Sequence, residues 1–300
     1  MHYLGIDIGG TKVKTLILNE QSDVIHQDEV FTEDGSGELW KQKIIQILNR
    51  QFSTYGKREL VCGISAPGLV DETNRKTMYM PERLQGIENY NWSEELGQEI
   101  WALNDGHSAC LAEYESFFKK EGVQNLVMLT LGTGVGGGIV INGELYQGKL
   151  QRAGHLGHMT ADLHGPNTMT NMPGSLEYAI GNFSVGQRTE GKFQTVLDLV
   201  KAFENGDEIA KRFWYEAVEK LAVSLAGLNN ILAPEVIVLG GGITKGAGDS
   251  LLKPLAEFME KFEWRPGGNK VRIETAKYGT FAGAIGAALF AKKQHEKGIK

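Results

Sequence analysis

The residues that could do chemistry sit in four short stretches. Asp7-Ile8-Gly9-Gly10-Thr11-Lys12 lies between two apolar runs, Tyr3 to Ile6 and Val13 to Leu18. A turn built on adjacent glycines lets backbone N–H groups approach an anion, and Thr11 and Lys12 add a hydroxyl and a cation, which suits a phosphate. Asp7 would face the same phosphate, and that is tolerable only with a divalent cation between the two negative groups. The same six residues also fit a plain hairpin whose Asp and Thr bond only the local backbone. Gly132-Thr133-Gly134-Val135-Gly136-Gly137-Gly138 contains G-x-G-x-x-G, the spacing of a dinucleotide fingerprint. That fingerprint requires a helix on its last glycine, whereas Ile139 to Ile141 followed by Asn142-Gly143 predicts a second strand and turn. This is therefore a second Gly/Thr hairpin on the plan of the first, a weak internal repeat. Asn104-Asp105 closes a short apolar run ahead of a helix, where the Asp could face a cleft or simply cap the helix. Gly240-Gly241-Gly242 follows a buried run and could let a flat ligand lie on bare backbone.

Strands are expected at Tyr3 to Ile6, Val13 to Leu18, Val24 to Phe31, Leu60 to Ser65, Ile100 to Leu103, Val127 to Leu131, Ile139 to Ile141, Val236 to Leu239 and Val271 to Ala276. Leu39, Trp40, Ile44, Ile47, Leu48 and Phe52 recur at helical spacing and form one apolar stripe. Further helices are expected over Ser93 to Glu99 with Ser93 as cap, Ser108 to Lys119, Thr195 to Phe203, Asp207 to Leu232, Asp249 to Phe262 and Phe281 to Lys293. The Ala66-Pro67-Gly68 turn leaves the sheet through a proline, and Asp71 to Trp92 reads as a polar, irregular loop on the substrate side. Gln151 to Asn182 is the least regular stretch. It holds His155, His158 and His164 with no cysteine nearby, which favours hydrogen-bonding histidines over a metal centre.

Composition bounds the answer. A chain of 300 residues, 41% of them hydrophobic, can fill one large core or two ordinary ones. A formal charge of -6 with mixed signs argues against nucleic acid or an anionic membrane as the main partner. The two cysteines, Cys62 and Cys110, sit in apolar context and read as small buried residues, so a reducing compartment is expected. No signal-like or membrane-spanning segment is legible, and the expected location is the cytoplasm.

Taken in order, these stretches resemble the sugar kinases of the ROK family (repressors, open reading frames and kinases), within the superfamily that shares the actin and hexokinase fold. Asp7 to Lys12 is similar to its first phosphate motif, Ser65 to Asp71 to its sugar-side loop, Asn104-Asp105 to its catalytic pair, Leu131 to Gly138 to its second phosphate motif, Leu239 to Ile243 to its adenosine motif and Ala282 to Ala287 to its closing helix. The resemblance implies an α/β, two-domain actin-like (ribonuclease H-like) ATPase fold with a mixed sheet in each domain and a cleft between them. A small N-terminal domain would comprise residues 1-107 plus 281-300, and a larger nucleotide-binding domain residues 108-280. It implies an ATP-dependent kinase for a hexose or N-acylhexosamine, similar to glucokinase or N-acetylmannosamine kinase, with Asp105 as general base and Mg²⁺ positioned through Asp7. Gly68, Asn104, Asp105, His155, His158 and Glu177 would contact the sugar. Asp7, Gly9, Gly10, Thr11, Lys12, Gly132, Thr133, Gly134, Gly240, Gly241 and Gly242 would hold the nucleotide. A homodimer is also implied.

The chain departs from the family pattern at the zinc motif. Where most members carry three cysteines, it has Thr168, Thr170 and Ser175, and hydroxyls do not replace thiolates, so no structural zinc is expected. His155 stands where the family has a Glu, exchanging an acceptor for a group that can donate or accept. Rival readings are a β-glucoside kinase and a catalytically weak sugar-binding regulator. Regulators of the family carry a helix-turn-helix ahead of the first phosphate motif, and Asp7 stands too close to the first residue for one.

Overall fold

Two apolar runs joined across Gly9 to Thr11 can pair only as a hairpin, and the fold is assembled around it. The computed structural model describes residues 1–33, 37–81, 83–168 and 171–298. The chain divides into two compact units, Met1–Gly122 with Leu145–Ala153 and Tyr278–Lys300, and Val123–Glu144 with Gly154–Lys277.

In the first unit β1 (His2–Ile8), β2 (Lys12–Leu18) and β3 (Val24–Phe31) form an antiparallel meander, as their apolar patterning predicts. Helix α1 (Leu39–Tyr55) buries Trp40, Ile44, Ile47, Leu48 and Phe52, while Leu39 stays exposed. Every residue of β4 (Leu60–Ala66) is buried, in keeping with a strand covered on both faces. The stretch expected to be irregular contains a small hairpin, β5 (Leu69–Val70) with β6 (Thr77–Tyr79). Helix α2 (Trp92–Leu96) is shorter than expected, and its cap is Asn91, whose Oδ1 accepts the N–H groups of Ser93 and Glu94; Ser93 lies inside the helix. Next come β7 (Ile100–Asn104) and α3 (Asp105–Glu113), which begins three residues earlier than Ser108 and passes at Tyr114–Phe118 into a π turn. The sheet order is β3-β2-β1-β4-β7, with β1, β4 and β7 parallel.

The second unit repeats the plan. Strands β8 (Leu126–Leu131) and β9 (Val135–Ile141) pair antiparallel across the second glycine turn, and Asn142 and Gly143 both take positive φ in the turn before β10 (Glu144–Leu145). Helices α4 (Leu176–Ile180), α5 (Val185–Arg188), α6 (Val196–Glu204) and α7 (Glu208–Leu232) follow. Thr195 and Asp198 make a capping box on α6, and Asp207 caps α7. After β11 (Val236–Gly240) the helix α8 (Gly241–Ala247) starts at once, so Gly241 and Gly242 form a first helical turn and not the open loop expected before α9 (Asp249–Phe262). With β12 (Arg272–Thr275), the sheet order β10-β9-β8-β11-β12 mirrors the first. Its core is one apolar cluster in which α7 and α9 cover β8 and β11 through Trp214, Leu221, Leu225, Leu251 and Leu255.

The C-terminal helix, Ala282–Gly298, returns to the first unit and explains its small-residue run. A β-carbon at Gly5 or Gly63 would overlap the carbonyl oxygen of Ala284 or Ala287, and one at Gly286 would overlap that of Ser108 in α3. Bare glycines at these crossings let the helix lie directly on β1, β4 and α3. Those are the elements that present Asp7, Ser65 and Asp105.

Candidate active site

Asp7 lies one residue before the end of β1, in register with Ser65 on β4 and Lys14 on β2. Ser65 Oγ donates to Asp7 Oδ1 at 2.7 Å. Burial pushes the Asp7 carboxyl up to about 6; the Ser65 bond opposes this, the charge of Asp105 adds to it, and Lys14 opposes it. The turn beside it is held from behind: Gly9 N–H donates to the Lys12 carbonyl at 3.1 Å, Thr32 Oγ1 to the Gly9 carbonyl at 2.6 Å, and Thr32 N–H to the Thr11 carbonyl at 2.9 Å. Gly10 and Thr11 are exposed, and a β-carbon at Gly10 would come 2.5 Å from Nη2 of Arg83. The Lys12 ammonium is ion-paired with Glu29 of β3.

Asn104 and Asp105 divide two roles that the sequence leaves to either. Asn104 is the helix cap: its Oδ1 accepts Gly106 N–H at 2.9 Å and His107 N–H at 3.2 Å, while its Nδ2 donates to the Gly68 carbonyl at 2.9 Å. Gly68 carries φ +85°, and a β-carbon there would overlap the Tyr79 carbonyl, so the loop crossing requires glycine. Asp105 is thus free of the capping role, although Gly106 N–H also reaches its Oδ1 at 2.8 Å. Solvent reaches the side chain, yet the protein around it desolvates the carboxyl and raises its pKa; Gly106 N–H, the charge of Arg83 and the Asn104 amide pull the other way. Buried His107 bonds the Ala153 carbonyl at 2.6 Å through Nε2, and desolvation holds its pKa down, so α3 is anchored immediately behind Asp105.

In the second unit, the turn Gly132-Thr133-Gly134 is closed by Gly132 N–H donating to the Gly134 carbonyl at 3.0 Å. Asn182 N–H donates to Gly132 and Phe183 N–H to Thr133, each at 3.0 Å. Gly132, Thr133, Asn182, Val196, Leu197 and Ile243 are among the residues around one cleft of about 410 Å³, and Gly242, Gly246 and Ala247 complete its α8 wall. Gly132 and Thr133 of the second Gly/Thr turn and Gly242 of the triple glycine, far apart in sequence, therefore line one space, whereas Gly240 and Gly241 do not reach it. Of the three late glycines, Gly241 is the constrained one: its φ is +89° and a β-carbon would overlap the Leu131 carbonyl. A β-carbon at Gly242 would meet no atom, leaving open space over the turn.

A 3₁₀ turn, Leu156–His158, presents His155 and His158 with rings stacked at 6.3 Å between centroids and 13° between planes. His158 Nδ1 stands 3.7 Å from Glu177 Oε1. Glu177 leans on the second turn, where a β-carbon at Gly134 would lie 2.8 Å from its Oε2. Burial raises the Glu177 pKa, with His158 and the Val135 N–H opposing. The hydroxyls at the family's cysteine positions have backbone duties: Thr168 Oγ1 donates to the Met172 carbonyl and Ser175 Oγ accepts the Tyr178 N–H as cap of α4; Thr170 lies outside the described residues. Among the described residues no three His, Cys, Asp or Glu side chains group as a metal centre.

The first unit thus gathers Asp7, Asp105, the first glycine turn and Arg83. Two oxygen-donor carboxylates at an exposed glycine turn suit a hard divalent ion such as Mg²⁺, which takes one or two carboxylates along with phosphate oxygens. Asp7's raised pKa is the mark of a desolvated carboxylate with too little positive charge beside it, and such an ion would supply that charge. Sequence reasoning missed Arg83, Asn182, Leu197 and Val200. Leu197 had a legible signal, an apolar residue off the buried stripe of α6, where it is 49% exposed. Arg83 had none, because a single arginine in a polar loop has no pattern.

The model of the ROK family matches residues 3–294. The chain is 30% identical to a glucokinase of Halalkalibacterium halodurans over 99% of this chain and 97% of that one. It is 30% identical to an N-acetyl-D-glucosamine kinase of Haemophilus influenzae over 97% of this chain and 100% of that one. The crystal structure of a ROK hexokinase from Thermus thermophilus superposes with a TM-score of 0.84 at 26% identity, covering 99% of this chain and 100% of that one. The chain belongs to the ROK family, and its fold, with a mixed sheet in each unit, is the actin-like ATPase fold of that family's kinases.

Proposed function

We propose that this ROK-family chain is an ATP-dependent kinase that phosphorylates a hydroxyl of a hexose or N-acylhexosamine. Relatives named glucokinase, N-acetyl-D-glucosamine kinase and N-acetylmannosamine kinase support the substrate class. The observation that carries the reading is Asp105, set at the end of β7 with its capping duty taken by Asn104 and its pKa raised beside the bare first turn. A carboxylate above its ordinary range is a better proton acceptor.

In this reading the sugar hydroxyl passes its proton to Asp105 as its oxygen attacks the γ-phosphorus, and ADP leaves on the opposite side. Asn104, held rigid by Gly68, Gly106 and His107, orients the sugar with Gly68, and His155, His158 and Glu177 are the second unit's sugar contacts. Adenosine is assigned to the 410 Å³ cleft, with Leu197 and Ile243 against the base and Gly242 beside it, while Gly240 and Gly241 carry the chain from β11 into that wall. The N–H groups of Gly10 and Thr11, and of Thr133 and Gly134, are assigned to phosphates, while those of Gly9 and Gly132 close their own turns on the carbonyls of Lys12 and Gly134. The Lys12 ammonium is left out of that set because Glu29 holds it. Mg²⁺, held by the phosphates and Asp7, supplies charge neutralisation to the transferring group.

ADP release against a panel of hexoses, N-acylhexosamines and β-glucosides, with Asp105→Asn alongside, tests the proposal. A sugar-dependent rate that falls about 10²–10⁴-fold in the variant is expected for loss of a general base. No sugar-stimulated ADP release above the variant's background would sink it.

A further inference from the structure

Arg83 stands over the first glycine turn and has no part in the steps above. It comes from the loop that follows β6, and that loop is pinned at several points. Met80 N–H donates to Glu88 Oε1 at 2.7 Å and Asn89 N–H to the Thr77 carbonyl at 2.8 Å, closing its base. Leu84 and Ile87 are each 1% exposed in the core cluster that holds Trp40, whose Nε1 donates to the Gln85 carbonyl at 3.1 Å. Leu84 takes φ +49°, a costly backbone for leucine that persists only where the surroundings dictate it, and such strain concentrates at functional sites. Leu84 is buried and its neighbour Arg83 is exposed, so the pinned turn holds the arginine on the surface beside the glycines.

The end of the guanidinium closes on the turn. A β-carbon at Gly10 would lie 2.5 Å from Nη2, 3.2 Å from Cζ and 3.8 Å from Nη1. The charge of Arg83 also acts on Asp105: burial raises that carboxyl, and Arg83 follows the Gly106 N–H among the groups that hold it down. The cations of β2 have other partners, Lys12 being ion-paired with Glu29 and Lys14 acting on Asp7. One guanidinium thus adjoins the turn assigned to phosphates and acts on the carboxylate assigned to the hydroxyl proton.

We propose that Arg83 is a catalytic residue of the phosphoryl transfer, donating to the oxygens of the γ-phosphoryl group and stabilising the charge they carry in the transition state. The proposal rests on the kinase reading above. As the bond from the sugar oxygen to phosphorus forms, the bond from phosphorus to the ADP oxygen breaks, its electron pair leaves on ADP, and the hydroxyl proton goes to Asp105. That proton removes the carboxylate charge that attracts Arg83 in the resting site, so the field of the guanidinium falls on the phosphoryl group during the transfer. A planar guanidinium can meet two phosphate oxygens side by side, which a lysine ammonium cannot.

The test is steady-state kinetics of Arg83→Met and Arg83→Lys beside wild type and Asp105→Asn, with the acceptor that the sugar panel shows to be fastest. Binding of AMPPNP, and of ADP with aluminium fluoride as a mimic of the transferring group, is measured in the presence of Mg²⁺ and that sugar. Arg83→Met should lose about 10²–10³-fold in kcat with KM for the sugar unchanged, and Arg83→Lys should lose less. The mimic should bind Arg83→Met about tenfold or more weakly, with a much smaller change for AMPPNP. The acid limb of kcat/KM should move to higher pH in Arg83→Met, because Asp105 loses a charge that holds its carboxyl down; a merely structural role leaves that limb in place. A wild-type kcat in Arg83→Met, a loss confined to KM for the sugar, or equal weakening of the mimic and AMPPNP overturns the proposal, while sugar-dependent turnover lost in Asp105→Asn keeps the kinase reading. If no sugar stimulates ADP release, that reading fails and the proposal fails with it. Should Arg83→Met not fold, Arg83→Lys decides, and a wild-type kcat in that variant overturns the proposal.

Discussion

Asp7→Asn should make the protein more stable and less active, and the stability gain should develop as pH rises from the unfolded to the folded pKa of Asp7 and be complete above the latter. The carboxyl is raised from 3.8 to about 6 by burial. A folded-state pKa above the unfolded value means the native state holds the proton more tightly. The associated stability is therefore fully present below about pH 4 and is lost as pH rises through about 6. Two pH units correspond to about 3 kcal/mol against the folded state at neutral pH. Asn has the same shape, keeps an oxygen that can accept from Ser65 Oγ at the 2.7 Å site, and carries no charge to desolvate. The variant and wild type should match near pH 4 and diverge between 4 and 6. By pH 7.5 the variant should lead by up to about 3 kcal/mol, which at about 2–4 °C per kcal/mol is a shift of several degrees in Tm. Mg²⁺ with a non-hydrolysable ATP analogue should narrow the gap, because the ion supplies in wild type the counter-charge that Asn makes unnecessary. Thermal and denaturant unfolding from pH 4 to 8 measure all of this. A stability difference constant across that range, or a variant less stable at pH 7.5, would refute the claim that the folded state holds an under-compensated charge at Asp7.

Three further perturbations are expected to read out other parts of the molecule. Gly286→Ala places a methyl group onto the Ser108 carbonyl, so α3 must shift; a loss of about 1–3 kcal/mol with a lowered kcat is expected, and an unchanged Tm would mean the helix crossing has slack. Glu263 is 1% exposed at its side chain and accepts from Arg265 Nε at 2.7 Å, Asn229 Nδ2 at 3.2 Å and Val271 N–H at 2.6 Å; Glu263→Ala strands these donors and should cost roughly 3 kcal/mol in denaturant unfolding. Leu197→Asp puts a charge at the 410 Å³ cleft and should raise KM for ATP with little change for the sugar; the reverse pattern would remove adenosine from that cleft.

Much of the fold is legible one element at a time. The limits of β3 agree with the expected Val24 to Phe31, and α1 buries five of the six apolar residues that defined its stripe. The refusal of a dinucleotide fold at Gly132 to Gly138 holds, because Val135–Ile141 pairs antiparallel with β8. Some misses are whole short elements, the β5–β6 hairpin, α4, α5 and α8, which carry too few residues to show a period, and the others fall at boundaries, where a few local bonds decide. Asn91 takes the cap expected of Ser93, Asn104 starts α3 early by accepting two N–H groups, and Gly241 lets α8 begin directly on β11 through a positive φ.

Periodicity and glycine spacing are properties of neighbouring residues, so the sequence by itself determined the longer strands and helices, the two Gly/Thr hairpins and the residue types able to handle a phosphate and a hydroxyl. Proximity between distant residues depends on sheet register and on which surfaces fit, and only the tertiary structure decided it. Ser65 reaches Asp7 because β1 and β4 pair in parallel register across 58 residues. The Glu113 carboxylate accepts the Tyr278 N–H across 165 residues, and the glycines of the C-terminal helix and its strands allow the close approach around it. Arg83 beside Gly10 and the buried Nε and Nη2 of Arg188 belong to this second kind: lone arginines in sequence, they acquire a chemical setting only through the distant residues that pack against them.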